Sequence, residues 1–205
     1  MSGGPIDPAK TALVTIDLTN DFLHPDGAYG RAGQGTPELA ALPGRVAPIL
    51  PALRGKGGLF VSVQFTIEHV LGRPFLIAPH LQELRPFLRE GDFAPGSWGN
   101  KAVEDLSPPD VEIEKVAYSA FYQTRMEHVL NALGIDTLVV AGIVTNGGVA
   151  STVRDAHMRG YRIILLTDGC GAFKPEVHDA TLISLGSVAE QESCADFLAR
   201  PELST

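Results

Sequence analysis

The chain has 205 residues, with 24 acidic and 16 basic side chains, so its formal net charge is −8. This length suits one domain, spanning residues 1–205, and an apolar content of 44% excludes a disordered chain. The acidic balance argues against nucleic-acid partners, because phosphate binding needs clustered Lys and Arg. No apolar run approaches the roughly 20 residues that span a bilayer. The sequence therefore predicts a cytoplasmic protein that acts on a small molecule, without a membrane partner.

Four continuous apolar runs rich in β-branched residues predict buried parallel strands. They cover residues 11–16, 58–63, 137–142 and 161–166. Shorter strands are expected near residues 111–114 and near Val188, which brings the predicted sheet to about six strands.

Helical periodicity occurs between these strands. Apolar residues recur at spacings of three and four within residues 124–133, and a second helix is predicted over about 146–159. Strands that alternate with helices of this length form right-handed βαβ units. The predicted fold is therefore α/β, a three-layer αβα sandwich of Rossmann type with a mostly parallel sheet.

Residues 68–109 break this alternation with repeated prolines and glycines. They are predicted to form a loop-rich insertion, and long irregular segments in compact domains usually serve as lids or binding loops. The two cysteines, Cys170 and Cys194, are predicted to be free thiols, since a lone pair of cysteines in an intracellular protein seldom forms a disulfide.

Polar residues that follow the strands are the first candidates for a site, because ligands bind beyond the carboxyl ends of parallel strands. Asp17, residues 64–68, Lys115 and residues 144–148 occupy such positions. A carboxylate and an ammonium from separate strands could act together in proton transfer. In the alternative interpretation Asp17 caps a turn and Lys115 is a solvated charge at a strand end.

Three motifs in order resemble the isochorismatase-like hydrolase superfamily. They are residues 13–17 with 20–22, Lys115 with residues 118–121, and residues 141–149. The resemblance covers residues from about 10 to 195. It implies an isochorismatase-like α/β fold, hydrolysis of a small molecule without a cofactor, and a homo-oligomer that is a dimer or a tetramer.

The resemblance places the superfamily's catalytic Asp, Lys and Cys at Asp17, Lys115 and Gly148. Glycine carries no nucleophile, so the thioester intermediate of the cysteine members is not available here. Isochorismatases proper also lack this cysteine, which implies that Asp17 protonates the carbon of a vinyl ether while Lys115 holds the carboxyl group. Two alternatives remain open: an amide or imine hydrolase in which Asp17 activates water, and a non-catalytic protein that binds a ligand or partner.

The same resemblance suggests substrate-binding residues along the chain. They are Phe22, Gln64, Glu68, Trp98, Tyr118, Phe121, Val144, Thr145 and Gly147. It also implies a cis peptide between Val144 and Thr145. Glu68 replaces a glutamine of the isochorismatases and would repel a dicarboxylate, so isochorismate itself is not the expected substrate.

Metal and nucleotide sites are not expected from the sequence. The six histidines are dispersed, with no pair at metal-ligand spacing. The glycines of residues 142–148 lack the spacing and the lysine of a phosphate-binding loop.

Overall fold

The computed structural model describes residues 4–73 and 76–204. Its strands are β1 (Thr11–Ile16), β2 (Leu59–Phe65), β3 (Val111–Lys115), β4 (Thr137–Ile143), β5 (Arg162–Gly171) and β6 (Glu190–Glu192). Within the described residues they form one six-stranded sheet in the order β3-β2-β1-β4-β5-β6, and all neighbours are parallel. The predicted α/β class with a mostly parallel sheet is confirmed.

Two strands, β2 and β5, continue beyond their predicted ends, because the pairing with neighbouring strands extends past the apolar run. β2 continues through Gln64 to Phe65, and Phe65 pairs with Lys115 of β3. β5 continues to Gly171, because a register shift after Val140 lets Cys170 pair with Gly142. The apolar runs therefore predicted the buried middle of these two strands but not the residues at their carboxyl ends.

Helices cover both faces of the sheet. They are α1 (Asn20–Leu23), α2 (Ala28–Arg31), α3 (Pro37–Ala40), α4 (Leu42–Val46), α5 (Ile49–Arg54), α6 (Pro79–Leu84), α7 (Met126–Ala132), α8 (Ala150–Met158), α9 (Pro175–Leu185) and α10 (Cys194–Leu198). No helix in the described residues combines the length and the apolar character needed to cross a bilayer.

The predicted helix over residues 146–159 has a different first turn. Thr145–Val149 form a π-helical turn, and α8 begins only at Ala150. Gly147 and Gly148 are poor helix formers, and π turns often occur at functional sites. The wider turn places these two glycines at the carboxyl edge of the sheet.

Two apolar clusters hold the three layers together. The strands alternate between the faces: Val14 and Ile16 of β1 join the cluster under α7, α8 and α9, whereas Leu13 joins the cluster under α4, α5 and α10. Both faces of the central strands β1, β2, β4 and β5 are therefore buried, which explains why these strands contain continuous apolar runs in the sequence.

The described residues of the insertion, 68–73 and 76–109, pack on the carboxyl edge of the sheet. They contain α6 and a 3₁₀ turn at Glu104–Leu106, and Leu88 and Phe93 form a small cluster with Tyr29. The buried carboxylate of Asp21 accepts hydrogen bonds from the Phe93 amide at 2.7 Å and the Ala28 amide at 3.0 Å. This carboxylate joins the insertion to the loop after β1.

Candidate active site

Asp17 is the first residue after β1 and turns its side chain toward the carboxyl edge of the sheet. Its backbone is left-handed, with φ of 59°, a conformation that Asp tolerates better than most residues. The Asp17 amide donates to the Val63 carbonyl at 2.8 Å, and Oδ1 accepts from the Phe65 amide at 2.8 Å. These bonds to β2 fix the direction of the carboxyl group.

Lys115 ends β3 and meets Asp17 across the end of β2. Its Nζ donates to Asp17 Oδ2 at 2.7 Å, and the side chain is only 2% exposed. The ammonium also lies 5.3 Å from the centroid of the Phe65 ring. The pair is buried, so each charge depends on the other for the solvation that water no longer provides.

Burial and the neighbouring charges shift the pKa of Asp17 in opposite directions. Desolvation is the largest influence and raises the pKa of this carboxyl group above its ordinary value of 3.8. The Lys115 ammonium, the Phe65 amide and the more distant Arg85 guanidinium act in the opposite direction, and the pKa remains raised. The protonated form of Asp17 therefore persists to higher pH than that of an exposed aspartate.

Gly148 lies directly beside this carboxyl group. A Cβ at this position would be 3.3 Å from Asp17 Oδ2 and 2.9 Å from Ile16 Cγ2. Because glycine has no side chain, an atom of a bound ligand can approach Asp17 Oδ2 to hydrogen-bond distance on this side.

The cis peptide was predicted one bond too late. The structure places it at Ile143-Val144, where β4 ends, and Val144–Thr145 is not among the cis bonds. The strand extends to Ile143, one residue beyond the predicted end, and the Val144 carbonyl already accepts from the Gly147 amide at 2.9 Å as part of the next turn.

A cavity of about 390 Å³ contains Asp17, Lys115 and Gly148 in its wall. Its remaining wall is mainly aromatic, with Phe22, Tyr29, Phe65, Tyr118, Tyr122 and Phe173. α6 and the residue after it, all within the insertion, cover one side through His80, Leu81 and Arg85. A largely apolar pocket with a few convergent polar groups is the usual form of a small-molecule site.

Tyr29 and Arg85 were not predicted from the sequence. The Arg85 Nε donates to the Tyr29 hydroxyl at 2.7 Å, and Tyr29 stacks on Phe173 with ring centroids 5.5 Å apart. The one available signal was the pair Gly27 and Gly30. A Cβ at Gly27 would lie 2.0 Å from the Asn20 carbonyl, so the turn that presents Tyr29 requires glycine.

Glu68 and Trp98 lie outside the pocket, contrary to prediction. The Glu68 carbonyl accepts from the Leu76 amide at 2.9 Å, and its side chain is exposed and does not line the pocket. Trp98 packs its ring edge-to-face on His24 at 4.9 Å in a separate surface cleft. It is fixed there because its carbonyl accepts from the Asn20 amide group at 2.8 Å.

Phe121 also belongs to the core rather than to the pocket. Its ring stacks on Tyr161 at 5.8 Å, and the Arg159 guanidinium lies 4.9 Å above it. Ser119 donates to Asp155 Oδ2 at 2.6 Å, which ties this loop to α8. Within the predicted motif of residues 118–121, only Tyr118 reaches the pocket wall.

The other predicted binding residues take different positions. Phe22 and Val144 line the pocket, and Gly147 lies just behind Tyr118, since a Cβ there would be 3.3 Å from Tyr118 Cε1. Gln64 is buried outside the pocket lining. Thr145 Oγ1 lies 2.8 Å from Nδ1 of His178 on α9, and Thr145 does not line the pocket.

Neither cysteine reaches the pocket. Cys170 and Cys194 are free buried thiols, as predicted, and neither belongs to the pocket wall. Burial raises the pKa of the Cys194 thiol to about 12 and that of the Cys170 thiol still further. Among residues 4–73 and 76–204, no three His, Cys, Asp or Glu side chains are grouped so that they could hold a metal ion.

Comparison with known proteins assigns the family. The isochorismatase domain family matches residues 11–195. The ureidoacrylate amidohydrolase RutB of Methylobacterium radiotolerans is 32% identical over 192 residues, which cover 88% of this chain and 74% of that protein. The structure of a cysteine hydrolase from Pseudomonas syringae pv. phaseolicola is similar, with a TM-score of 0.81, 25% identity and 98% of both chains covered.

A further solved structure, an N-carbamoylsarcosine amidase from Thermoplasma acidophilum, has a TM-score of 0.69 and 29% identity, covering 90% of this chain and 96% of that one. The family match extends over far more than half of the sequence and includes β1, which Asp17 follows, and β3, which ends at Lys115. This chain therefore belongs to the isochorismatase family and is a hydrolase.

Proposed function

We propose that this hydrolase cleaves a small molecule of the vinyl-ether type by acid catalysis at Asp17, without a covalent enzyme intermediate. The observation that carries the proposal is the Asp17 carboxyl group itself. Burial raises its pKa, and its Oδ2 faces the space beside Gly148. A raised pKa favours the protonated form of the carboxyl group, which is the form that can protonate carbon, and a glycine beside it suits a reaction that needs no thiolate.

The reaction balances with water as the only co-reactant. Protonated Asp17 transfers its proton to the terminal carbon of the C=C–O unit, and the double-bond electrons form the new C–H bond. This leaves an oxocarbenium centre and an Asp17 carboxylate, which the Lys115 ammonium stabilises at 2.7 Å. Water adds to the cationic carbon and returns a proton to Asp17. The resulting hemiketal breaks its C–O bond and releases a ketone and an alcohol.

Amide hydrolysis is the second candidate, because similar proteins are named ureidoacrylate amidohydrolase and N-carbamoylsarcosine amidase. Here ionised Asp17 would take a proton from water, and that water would attack the carbonyl carbon. This role needs the carboxylate form, which burial disfavours. The raised pKa of Asp17 therefore favours the acid role.

A turnover panel of enol ethers and small amides, run in D₂O, tests the proposal. Protonation at carbon places one solvent deuteron on the product carbon next to the new carbonyl group, which NMR detects. Amide hydrolysis places none on carbon. Cleavage of amides alone would support the second candidate, and no turnover of any member by the folded protein would favour a binding function.

The pH dependence separates the two roles of Asp17. For the acid role, kcat/KM is expected to fall as pH rises through the Asp17 pKa, which lies above 3.8 because of burial. For the base role, kcat/KM rises over the same range. The raised pKa also makes folding stability depend on pH. Between pH 3.8 and the raised pKa, Asp17 binds more protons in the folded state than in the unfolded state. The contribution of Asp17 to the free energy of unfolding therefore declines as pH increases through this range.

Removal of both thiols is expected to leave turnover within a few-fold of the wild type. Cys170 and Cys194 are buried away from the pocket, and their raised pKa values keep them protonated and unreactive. The measurement is kcat/KM of the double variant Cys170→Ala and Cys194→Ala, with circular dichroism to verify folding. A folded but inactive double variant would identify a cysteine as the nucleophile and would contradict the proposed mechanism.

A further inference from the structure

The π turn between β4 and α8 is bonded to a separate helix through a buried side chain. Thr145, the first residue of this turn, is fully buried, and its Oγ1 lies 2.8 Å from Nδ1 of His178. His178 is half-buried near the start of α9. Neither residue lines the pocket. The hydrogen bond therefore holds the turn from outside the pocket.

The backbone of the turn gains little stability from its own sequence. Gly147 and Gly148 follow each other in it, and glycine is among the poorest helix formers. The Val149 amide donates to the Val144 carbonyl at 3.4 Å, which is longer than a typical N–H···O bond. The position of the turn therefore depends on contacts with its surroundings, and the bond of Thr145 is one of these.

The same turn borders the Asp17 carboxyl group and the pocket wall. A Cβ at Gly148 would be 3.3 Å from Asp17 Oδ2 and 2.9 Å from Ile16 Cγ2, so the glycine backbone packs closely on the end of β1. A Cβ at Gly147 would be 3.3 Å from Cε1 of Tyr118, which lines the pocket. A small displacement of the turn would therefore let water reach Asp17 and would change the space beside its carboxyl group.

We propose that His178 is a positioning residue, which holds Gly148 beside the Asp17 carboxyl group through its hydrogen bond to Thr145. A hydroxyl group both donates and accepts, so Thr145 can bond the neutral and the protonated imidazole alike. The role of His178 is therefore to fix geometry rather than to transfer a proton. Its effect on turnover rests on the proposed function of Asp17 as the catalytic acid, whereas its effect on the surroundings of Asp17 does not.

The pKa of Asp17, followed through the NMR signal of its carboxyl carbon, tests the role of this bond without a substrate. Thr145→Val keeps the size of the buried side chain and removes the hydroxyl group. Water then reaches Asp17, the desolvation that raises its pKa declines, and the pKa is expected to fall toward 3.8. Thr145→Ser keeps the hydroxyl group, and its Asp17 pKa is expected to equal that of the wild type. Lys115 and Arg85, the charged groups that act on Asp17, are unchanged in both variants.

The kinetic test uses the substrate identified by the turnover panel. Thr145→Val and His178→Ala are each expected to lower kcat by about 10- to 100-fold with little change in KM, because misplaced reacting groups reduce the rate more than binding. If both residues act through one bond, the double variant loses no more activity than either single variant. His178→Asn places an amide group near the position of Nδ1 and is expected to recover kcat to within a few-fold of the wild type.

Matched controls separate this bond from general effects on the helices. Thr181→Val removes a hydroxyl group whose bond to the Val177 carbonyl, at 2.7 Å, lies within α9. His157→Ala removes an exposed histidine from α8. Both controls are expected to keep the Asp17 pKa and kcat of the wild type. Circular dichroism verifies folding, and should Thr145→Val fail to fold, His178→Ala at the half-buried partner gives the same comparison.

The inference is overturned by an Asp17 pKa that stays at the wild-type value in folded Thr145→Val and His178→Ala, or by additive losses of activity in the double variant. It is also overturned if Thr145→Ser and His178→Asn are as impaired as the variants that lack the bond. Should the panel show no enol-ether turnover, the proposed function fails, and the pKa comparison still decides the role of His178. Enol-ether turnover with an unchanged Asp17 pKa in these variants would remove that role and keep the proposed function.

Discussion

Replacement of Asp17 with asparagine is expected to lower kcat/KM by about 10²- to 10⁴-fold, the usual contribution of a positioned acid or base. Asparagine keeps the size of the side chain, and its oxygen can still accept the Phe65 amide, which lies 2.8 Å from Oδ1 in the wild type. The transferable proton is lost. Since the shape of the pocket is preserved, the loss is expected in kcat, with a smaller change in KM.

The matched control is Asp136→Asn, which changes an exposed aspartate before β4, at the opposite end of the strands from the pocket. Its kcat/KM is expected to equal that of the wild type. Thermal unfolding followed by circular dichroism verifies that both variants fold. Activity of folded Asp17→Asn within a few-fold of the wild type would reject both the acid and the base role of this residue.

The sequence was sufficient to predict the centre of the fold, because both faces of a parallel sheet are buried. Strands such as Thr11–Ile16 and Thr137–Ile143 lie between two helical layers, so each is apolar throughout and easily recognised. The same argument located Asp17 and Lys115, because residues that end parallel strands meet at one edge. Their 2.7 Å contact follows from the adjacency of β1, β2 and β3.

The other residues of the site are brought together by contacts between distant parts of the chain, which a local sequence pattern does not reveal. Arg85 meets Tyr29 across 56 positions of sequence, through an insertion without periodicity. Phe121 was predicted to line the pocket because it belongs to the same motif as Tyr118. The hydrogen bond from Ser119 to Asp155 instead holds this part of the loop against α8, and Phe121 packs in the core. Asp17 and Lys115, which were predicted from strand ends, line the pocket, whereas Phe121, which was predicted from a loop motif, does not.

Lys115→Met is expected to lower kcat/KM by about 10²- to 10³-fold, a typical cost of losing one charge-stabilising group. Methionine fills much of the same buried space, so the change is mainly electrostatic. After the proton leaves Asp17, the carboxylate would have no ammonium beside it. An unpaired buried charge destabilises a folded protein by about 3–5 kcal/mol, and protonation of Asp17 avoids this cost.

The pH profile of this variant gives the more specific test. Desolvation raises the Asp17 pKa and Lys115 is the strongest influence that lowers it, so loss of the lysine raises the pKa further. For acid catalysis the decline in kcat/KM should then move to higher pH, although the maximum rate is lower. Lys101→Met, which removes an exposed lysine 3.3 Å from Glu112, should change neither rate nor profile. A decline that stays in place or moves to lower pH in folded Lys115→Met would show that Asp17 is not the group that titrates, and the active proton would then belong to another residue of the pocket.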